Sequence, residues 1–467
     1  MNVYLLGIAG TGMGSFAGLL RAAGHEVSGS DENVYPPMSD KLAEWRIRTY
    51  TPYSAANLDQ ARPDLAVVGN VIRADNVEAR ALRRRGVPQM SFPEALEELF
   101  LQTRHAVVVA GTHGKTTSTS LLAQVLHHAG RDPSLLVGGV PLNFNEGFRL
   151  GKGEHFVIEG DEYDTAYFDK GPKFLHYRPR TAIVTGAEFD HADIFRDTPH
   201  YESAFEKFYG LLPPDGYAAA CSTFPNWKRL ASFARCKVES YTSVDGGEAD
   251  WTANWVSLGP AGASFEVSYR SRAEIRVTLP AAGRHNVENA LGVYAACRAL
   301  GLKPDQIAAG FASFRGVKRR QELRGEPAGV AVIDDFAHHP TAVRETIAAV
   351  AAQYPGRRLV AVFEPRSNTA MRKIHQAEYA HAFKGAAEAL ISQPTAIAKV
   401  PESERVDAKR MAQDIAAAGT PARWMEGPDA IVAALAGEAR AGDVILAMSN
   451  GGFGGLHDKL LKALAAR

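Results

Sequence analysis

A lysine and a threonine complete the glycine-rich segment GTHGKTT at residues 111–117. An apolar run at 106–110 precedes the segment, and a helical pattern follows it. In phosphate-binding loops of this kind, backbone N–H groups bind phosphate oxygens, the lysine neutralises the β- and γ-phosphates, and the hydroxyl binds Mg²⁺. We therefore predict that Lys115 and Thr116 bind a nucleoside triphosphate together with Mg²⁺. Val109 stands where the usual GxxxxGK[ST] pattern has its first glycine, so the loop is a variant of that pattern.

Carboxylates end the next two predicted strands. The sequence FVIEGDE occupies residues 156–162, and AIVTGAEFDHAD occupies residues 182–193. Mg²⁺ prefers oxygen ligands, and a carboxylate one strand away from a phosphate loop is the expected second contact to the ion. We choose Glu159, because it ends its strand. His191 has two interpretations that the residues leave open, a metal ligand or an ordinary hydrogen-bonding side chain.

A second glycine-rich turn stands near the N-terminus, between Gly7 and Gly14. It follows a predicted strand and opens a helix, residues 12–17 fit a GxGxxA pattern, and Asp31 closes the next strand. Glycines let the backbone approach a diphosphate, the helix N-terminus supplies N–H donors, and the acid can accept from a ribose or a base. The turn therefore predicts a site for a nucleotide diphosphate; the alternative is a tight turn without a ligand.

Short runs rich in Val, Ile and Leu alternate with longer helical patterns along the chain, which predicts parallel sheets with crossover helices. In such sheets ligands bind at the carboxyl ends of the strands, where the loops described above lie. Residues 246–280 alternate instead, which predicts a small antiparallel part. The predicted strands are 3–7, 65–69, 106–110, 156–159, 182–185, 330–334, 359–363 and 444–448.

Length and charge narrow the class of protein. At about 150 residues per domain, 467 residues predict three domains. The 52 basic and 52 acidic side chains balance, which removes any argument from net charge for a protein that binds nucleic acid or a membrane surface. The N-terminus enters a glycine turn directly, and long apolar runs are lacking, so we expect a cytoplasmic location. Oligomeric state is not readable from these features.

Six features follow one another along the chain: GTHGKTT at 111–117, Glu159, the DH pair at 190–191, RHNVENA at 284–290, KRRQ at 318–321 and DDFAHHP at 334–340. Together they resemble the Mur ligases of bacterial cell-wall synthesis over essentially the whole length. Within that family, three segments are most like the branch that joins UDP-N-acetylmuramate to the tripeptide L-alanyl-γ-D-glutamyl-meso-diaminopimelate: EFDHADIF at 188–195, EPRSNT at 364–369 and SNGGFGG at 449–455.

The resemblance implies an α/β protein of three domains. A Rossmann-like N-terminal domain at 1–102 would bind the UDP-sugar. A central domain of the P-loop ATPase type at 103–320 would bind ATP on a parallel sheet that carries the small antiparallel part. A Rossmann-like C-terminal domain at 321–467 would close on ATP and bind the peptide. The implied enzyme is an ATP-dependent amide ligase that uses Mg²⁺, forms an acyl phosphate, and serves peptidoglycan synthesis and recycling, and through them cell shape and division.

The loops and the motif matches together give the predicted site residues. The UDP-sugar contacts are Gly10, Thr11, Gly12, Met13, Gly14, Ser30, Asp31 and Asn70. The ATP contacts are Gly111, Thr112, His113, Gly114, Lys115, Thr116, Thr117, Asn286, Asn289, one of Arg319 and Arg320, and Asp335. The Mg²⁺ ligands are Thr116, Glu159 and His191, and the catalytic residues are Lys115, His191 and His338.

The acceptor peptide carries carboxylates, so guanidinium groups are expected opposite it. Arg366 follows the predicted strand 359–363, and Ser367, Asn368 and Asn450 can add hydrogen bonds. Some members of the resembled family carry a carbamylated lysine in the helix after the DH pair. This chain has Phe205 at the comparable place, so a second metal site built on that lysine is not expected.

Three alternatives stay open. Within the family, the acceptor could be free L-alanine, because composition and spacing cannot distinguish it from a peptide and the choice of the tripeptide rests on resemblance. From another class, an NAD(P)-dependent oxidoreductase would explain the N-terminal glycine turn and Asp31, but it leaves GTHGKTT unexplained. A non-catalytic P-loop switch would need neither two further nucleotide-like domains nor the DDFAHHP segment.

Overall fold

The computed structural model describes residues 1–35 and 38–467 and divides into three α/β units. The first unit holds a parallel five-stranded sheet of order β3-β2-β1-β4-β5. The order reverses between β1 and β4, which makes the loops after these two strands the expected ligand site. Its elements are β1 Asn2–Leu6, α1 Thr11–Ala22, β2 Glu26–Ser30, α2 Met38–Glu44, β3 Arg48–Tyr50, α3 Asn57–Ala61, β4 Leu65–Val68, α4 Val77–Arg85, β5 Gln89–Ser91 and α5 Phe92–Leu96.

The second unit is built on a ten-stranded sheet of order β17-β16-β15-β14-β13-β12-β6-β9-β7-β8. A separate hairpin, β10 with β11, lies outside this sheet. The elements are β6 His105–Ala110, α6 Lys115–His128, β7 Ser134–Leu136, β8 Phe148–Arg149, β9 His155–Gly160, β10 Asp164–Ala166, β11 Asp169–Pro172, β12 Thr181–Val184, α7 Thr198–Gly210, β13 Tyr217–Cys221, α8 Trp227–Ala231, β14 Lys237–Thr242, β15 Trp251–Gly259, β16 Gly262–Tyr269, β17 Arg272–Leu279, α9 Arg284–Ala299 and α10 Pro304–Ala312.

The third unit has a six-stranded sheet of order β18-β19-β23-β20-β21-β22, in which only the β18–β19 pairing is antiparallel. The elements are β18 Glu322–Gly325, β19 Ala331–Asp335, α11 Pro340–Gln353, β20 Leu359–Phe363, α12 Gln376–Ala382, β21 Glu388–Ser392, α13 Ala408–Ala417, β22 Ala422–Met425, α14 Pro428–Glu438, β23 Val444–Met448 and α15 Leu456–Ala465.

The predicted α/β fold with parallel sheets is confirmed. Each of the eight predicted strands is present, with bounds within one residue of the prediction. These strands are buried on both faces, because helices cover both sides of a parallel sheet, and they therefore lack polar alternation. The antiparallel part is confirmed as well, since β15, β16 and β17 pair antiparallel and extend the central sheet. The described residues include no helix with the length and apolar character needed to cross a membrane.

A buried carboxylate ties the first unit together. Glu78 on α4 is fully buried, and its oxygens accept hydrogen bonds from the Tyr4 hydroxyl at 3.2 Å, the Ser54 N–H at 2.9 Å and the Asn57 amide at 2.7 Å. The hydroxyl of Ser30 also donates to Glu78. A buried charge is tolerated when hydrogen bonds surround it, and here they connect β1, β2 and α3 to α4.

Replacing Glu78 with Ala is expected to destabilise the first unit by about 3 kcal/mol, because four donors lose their acceptor together and two of them, the Tyr4 and Ser30 hydroxyls, are buried. Amide hydrogen exchange of β1 and β4 reports the opening of this unit separately from the other two. Glu44→Ala is the matched control, since Glu44 is an exposed acid on α2. Equal protection of these amides in both variants would contradict the prediction.

Candidate active site

The phosphate loop between β6 and α6 has the conformation that its glycines allow. Gly111 and Gly114 have φ values of +136° and +76°, which other residues rarely adopt. A Cβ at Gly114 would lie 2.2 Å from the Asn289 side chain, and one at Gly111 would lie 2.2 Å from Thr185. Neither position therefore accepts a larger residue. The loop opens on a cleft of about 2230 Å³ that is lined by residues of all three units.

The loop lysine faces a carboxylate that the sequence prediction did not select. Lys115 Nζ donates to Glu162 Oε2 at 2.8 Å and to the Gly111 carbonyl at 2.6 Å. Burial alone would lower the pKa of Lys115, but Glu162 and Asp161 outweigh it and raise that pKa, so the side chain stays charged. His191 Nε2 lies 3.2 Å from Glu162 Oε1. Glu162 therefore joins the two predicted catalytic residues Lys115 and His191.

The loop threonine lies beside the predicted acid. Thr116 Oγ1 donates to Glu159 Oε1 at 2.7 Å, and Glu159 Oε2 accepts from the Gly138 N–H at 2.7 Å. Burial and the neighbouring Asp161 raise the pKa of Glu159. For His191, burial opposes protonation, but the hydrogen bond to Glu162 raises its pKa overall. The three predicted Mg²⁺ ligands all line the cleft, and Glu162 contacts one of them, His191.

The paired arginines at 319 and 320 have different partners. Arg320 is half-buried, and its Nη2 donates to Thr116 Oγ1 at 3.1 Å, which brings it to the phosphate loop. Arg319 turns the other way, and its Nη2 donates to the carbonyls of Ser449 and Gly451 at 2.6 Å each. Between the two arginines that the sequence could not separate, the geometry favours Arg320 as the ATP contact.

The other predicted ATP residues from outside the loop hold the cleft in shape. Asn286 donates to the Ala282 carbonyl at 2.7 Å, and Asn289 packs against the loop at Gly114. Both side chains line the cleft. Asp335 accepts from the backbone N–H groups of Gln321 and Ala337 at 2.8 and 2.7 Å. Its carboxylate therefore shapes the connection into the third unit and lies beside Arg320.

The N-terminal glycine turn lines the opposite part of the cleft. Its predicted contacts that face the cleft are Gly10, Thr11, Gly12, Met13, Asp31 and Asn70. Asp31 Oδ2 accepts from the Ala9 N–H at 2.9 Å, so one carboxylate oxygen orders the turn itself. Gly14 lies deeper, where a Cβ would meet the Met38 sulfur at 2.2 Å.

The Ser30 prediction needs a correction. This residue ends β2 next to Asp31, but its side chain is fully buried and its hydroxyl donates to Glu78. Side chains alternate along a strand, so neighbouring residues point to opposite faces of the sheet. The hydroxyl therefore belongs to the buried network of the first unit, and Ser30 is not among the residues that line the cleft.

The third unit brings a histidine to the cleft. His338 Nδ1 lies 3.0 Å from the Phe336 carbonyl, which holds the ring in place. Burial lowers the pKa of His338, although Asp190 opposes this shift. For Asp190, burial is outweighed by His191 and His338, which hold the pKa of its carboxyl well below the usual range. A neutral imidazole and an ionised carboxylate thus meet where the second and third units face each other.

The predicted peptide residues lie on two loops of the third unit, which follow the neighbouring strands β20 and β23. Arg366 packs against Gly451, where any Cβ would clash with its guanidinium group, and its Nη1 lies 3.7 Å from the buried Glu364. Asn450 lines the cleft directly. Asn368 Nδ2 donates to Asp193 Oδ2 at 2.9 Å and so connects the second and third units. Ser367 Oγ accepts from the Ala370 N–H at 3.0 Å, which makes its role in this structure that of a turn residue.

Phe205 is fully buried in the second unit. Its ring lies 5.5 Å from Phe174 and 5.3 Å from Tyr201, measured between centroids. An apolar packed side chain supplies no metal ligand.

Three family models match the chain one after another. The model of the Mur ligase family catalytic domain matches residues 2–104, the Mur ligase middle domain matches 109–297, and the Mur ligase glutamate ligase domain matches 319–451. The chain belongs to the Mur ligase family. It is therefore an ATP-dependent ligase that forms amide bonds, and the oxidoreductase and the non-catalytic switch are set aside.

This Mur ligase is similar to proteins of two branches. The UDP-N-acetylmuramate–L-alanyl-γ-D-glutamyl-meso-2,6-diaminoheptandioate ligase of Escherichia coli (strain K12) is 40% identical, over 100% of this chain and 99% of the relative. The UDP-N-acetylmuramate–L-alanine ligase of Kineococcus radiotolerans is 36% identical over 100% and 97%. The crystal structure of a murein peptide ligase from Psychrobacter arcticus 273-4 superposes with a TM-score of 0.75 at 37% identity, covering 100% of this chain and 99% of that one.

Proposed function

We propose that this Mur ligase joins the lactoyl carboxylate of UDP-N-acetylmuramate to the free amine of L-alanyl-γ-D-glutamyl-meso-diaminopimelate, while ATP becomes ADP and phosphate. The observation that carries the proposal is one cleft lined by a strand-end loop from each unit. These loops are the N-terminal glycine turn, the phosphate loop and the Asn450 loop. Each suits one of the three substrates, and their meeting allows phosphoryl transfer and amide formation in the same place.

The proposal includes three domains, at 1–102, 103–320 and 321–467. Each range contains one of the three main sheets, and the cleft lies where the ranges meet. The choice of the tripeptide over L-alanine is supported by the likeness to the E. coli and Psychrobacter proteins, whose names carry the peptide-ligating activity. Since the acceptor is then a preformed peptide, we place the reaction in the reuse of wall peptides.

The site residues fit a hard divalent cation. Thr116 and Glu159 present oxygen atoms 2.7 Å apart next to the phosphate loop, and His191 with Glu162 adds a nitrogen and a further carboxylate. We propose that Thr116, Glu159 and His191 hold Mg²⁺, with Glu162 as a fourth candidate. When bound, the ion neutralises charge on the phosphates and lowers the barrier to phosphoryl transfer.

The lactoyl carboxylate of UDP-N-acetylmuramate does not react with an amine in water and must first be activated. Residues of this chain can account for that activation. Lys115 stabilises negative charge on the γ-phosphoryl group as it passes to the lactoyl oxygen, which gives an acyl phosphate. The neutral ring of His338, held by the Phe336 carbonyl, can accept a proton from the attacking amine. Amide formation then releases phosphate from the acyl carbon.

The acyl phosphate is tested by positional isotope exchange. With ATP labelled at the β,γ-bridging oxygen and UDP-N-acetylmuramate present, we expect the label to scramble without peptide, because reversible transfer frees the β-phosphate of ADP to rotate. Omitting UDP-N-acetylmuramate is the control and should abolish scrambling. No exchange with both substrates bound would contradict the proposed intermediate.

Arg366→Ala is expected to raise the KM for the tripeptide by about 10-fold to 100-fold, because a charge-assisted hydrogen bond to a carboxylate contributes about 1.5–3 kcal/mol. The KM for ATP should change by less than about twofold, since the side chain of Arg366 packs against Gly451 and lies near Glu364, both in the third unit. Arg410→Ala, at an exposed arginine of α13, is the control. Equal changes in both KM values would show that Arg366 does not bind the peptide.

A further inference from the structure

A second group of metal-ligand side chains lies apart from the proposed Mg²⁺ ligands. His113 of the phosphate loop, Glu188 after β12 and His339 at the start of α11 each offer one ligand atom, and these atoms lie within 4.8 Å of one another. His113 Nε2 is 2.8 Å from Glu188 Oε2, and His339 Nδ1 is 3.9 Å from the same oxygen. Two of these residues belong to the second unit and one to the third.

The surroundings hold these atoms in place. Glu188 Oε1 accepts from the Thr341 hydroxyl at 2.9 Å, which fixes the carboxylate and leaves Oε2 directed at the two imidazoles. The side chain of His339 is only 4% exposed; its Nδ1 accepts from the Thr341 N–H at 3.4 Å, a hydrogen bond that a cation bound at Nδ1 would replace, and its Nε2 has no hydrogen-bond partner in the part of the chain that the structure describes. The His375 ring packs edge-on against His339, with centroids 4.6 Å apart.

We propose that His113, Glu188 and His339 form a binding site for a divalent cation of the zinc class. Two imidazole nitrogens and one carboxylate oxygen form a set that Zn²⁺ accepts and that Mg²⁺, which prefers oxygen, does not. In a tetrahedral site with bonds of about 2.0–2.2 Å, ligand atoms lie roughly 3.3–3.6 Å apart. The two imidazole nitrogens lie 2.8 and 3.9 Å from Glu188 Oε2, so small side-chain movements would bring the ligand atoms to these distances.

The protonation states suit a metal. Burial and the neighbouring His113 lower the pKa of His339 to about 3, which leaves its ring neutral. Burial is outweighed at Glu188 by the hydrogen bond from His113, which lowers its pKa to about 2 and keeps it ionised. Binding of the cation would replace the hydrogen bond between His113 and Glu188.

Such a cation would connect the phosphate loop directly to the third unit. His113 and Glu188 line the cleft, so a cation held by them would be accessible from the cleft. Three protein ligands with one open position is the arrangement of zinc sites that also bind water or a substrate. The bound ion would restrain movement of the third unit relative to the phosphate loop, a property separate from the proposed ligase reaction.

The test is titration of the full-length protein with Zn²⁺, in competition with a chromophoric chelator and with excess Mg²⁺ present. We expect one saturable zinc site in the wild-type protein. His339→Gln should weaken its affinity by about 100-fold or more, since loss of a ligand costs at least as much as loss of an outer hydrogen bond to one. His381→Gln, at an exposed histidine of α12, is the matched control and should bind as wild type does.

A second variant keeps the test decisive if His339→Gln is unstable. Glu188→Gln preserves an acceptor for Thr341 but removes the charge, and it should lose zinc affinity as well. Co²⁺ should give the visible absorption of a four-coordinate site in the wild type and the His381 control, and not in the two ligand variants. The proposal is overturned if a folded ligand variant binds zinc with unchanged affinity and stoichiometry. It is also overturned if the wild-type protein shows no saturable zinc binding.

Discussion

Replacing Lys115 with Met is expected to lower kcat by about 1,000-fold or more, because loss of one preorganised donor to developing negative charge alone costs about 100-fold to 1,000-fold. Lys115 is a buried cation that stays charged next to Glu162, and it lies at the start of α6 where the phosphate loop ends. The methionine keeps the length and the apolar stem of the side chain and removes the charge. The effect should therefore fall on phosphoryl transfer and leave the KM for UDP-N-acetylmuramate nearly unchanged.

The measurement is ADP release under saturating substrates, with Lys152→Met as the control because Lys152 is exposed on a loop of the same unit. Loss of Lys115 also removes the nearest cation from the buried Glu162, which keeps His191 Nε2 at 3.2 Å and the Tyr201 hydroxyl at 3.5 Å, so the thermal unfolding midpoint must be measured for each variant. The double variant Lys115→Met/Glu162→Gln removes both charges. If the double variant regains activity near wild type, Lys115 only neutralises Glu162 and the proposed role is wrong.

Substitution of the two neighbouring arginines is expected to affect different substrates. Arg320→Lys should reduce kcat/KM for ATP by about 100-fold, since a lysine cannot reproduce the guanidinium geometry that reaches Thr116. Arg319→Lys should instead reduce kcat/KM for the tripeptide, because Arg319 donates hydrogen bonds to the carbonyls of Ser449 and Gly451 in the loop beside Arg366. We expect kcat/KM for ATP to change by less than about threefold in Arg319→Lys.

Steady-state kinetics with ATP and the tripeptide varied in turn measure both effects, and each arginine variant is the control for the other. Both guanidinium groups lie over the Phe336 ring, at 5.2 and 4.8 Å from its centroid, so loss of stacking is similar in the two variants. If kcat/KM for ATP falls further in Arg319→Lys than in Arg320→Lys, then Arg319 and not Arg320 is the ATP contact.

The elements of this fold were predictable because local patterns carry them. The buried strands have continuous apolar runs, and the phosphate loop needs glycines at 111 and 114 for positive φ and for close packing against Asn289. Sequence spacing thus identified the loop and the carboxyl ends of the strands where the site lies. The choice of branch within the family came from resemblance, since acceptor length leaves no local pattern.

Side-chain partners that are distant along the sequence were not predictable in the same way. Glu162 stands three residues after Glu159, and only the path of the chain beyond β9 brings it to Lys115 and His191. The acidic residues of FVIEGDE were the available signal. The rule that selects the residue at the end of the strand favours Glu159 and therefore omits Glu162. Ser30 was assigned to the site through its neighbour Asp31, although strand alternation points its hydroxyl toward Glu78.

Glu188 is the second site residue that sequence reasoning missed. Glu188 lies in AIVTGAEFDHAD, a segment in which the sequence prediction used the DH pair. Its partners His113 and Thr341 are 75 and 153 residues away along the chain. Contacts between units depend on how the domains meet, which hydrophobic periodicity does not encode. The same reason explains why Arg319 and Arg320 could not be separated from the sequence.

The central claim is that the acceptor is the preformed tripeptide. Its direct test is a competition in which the wild-type protein receives ATP, Mg²⁺, UDP-N-acetylmuramate and equal concentrations of L-alanine and L-alanyl-γ-D-glutamyl-meso-diaminopimelate, with products identified by mass spectrometry. We predict that UDP-N-acetylmuramoyl-tripeptide is the main product and that ADP forms in equal amount. UDP-N-acetylmuramoyl-L-alanine as the main product would contradict the proposal and assign the protein to the alanine-adding branch.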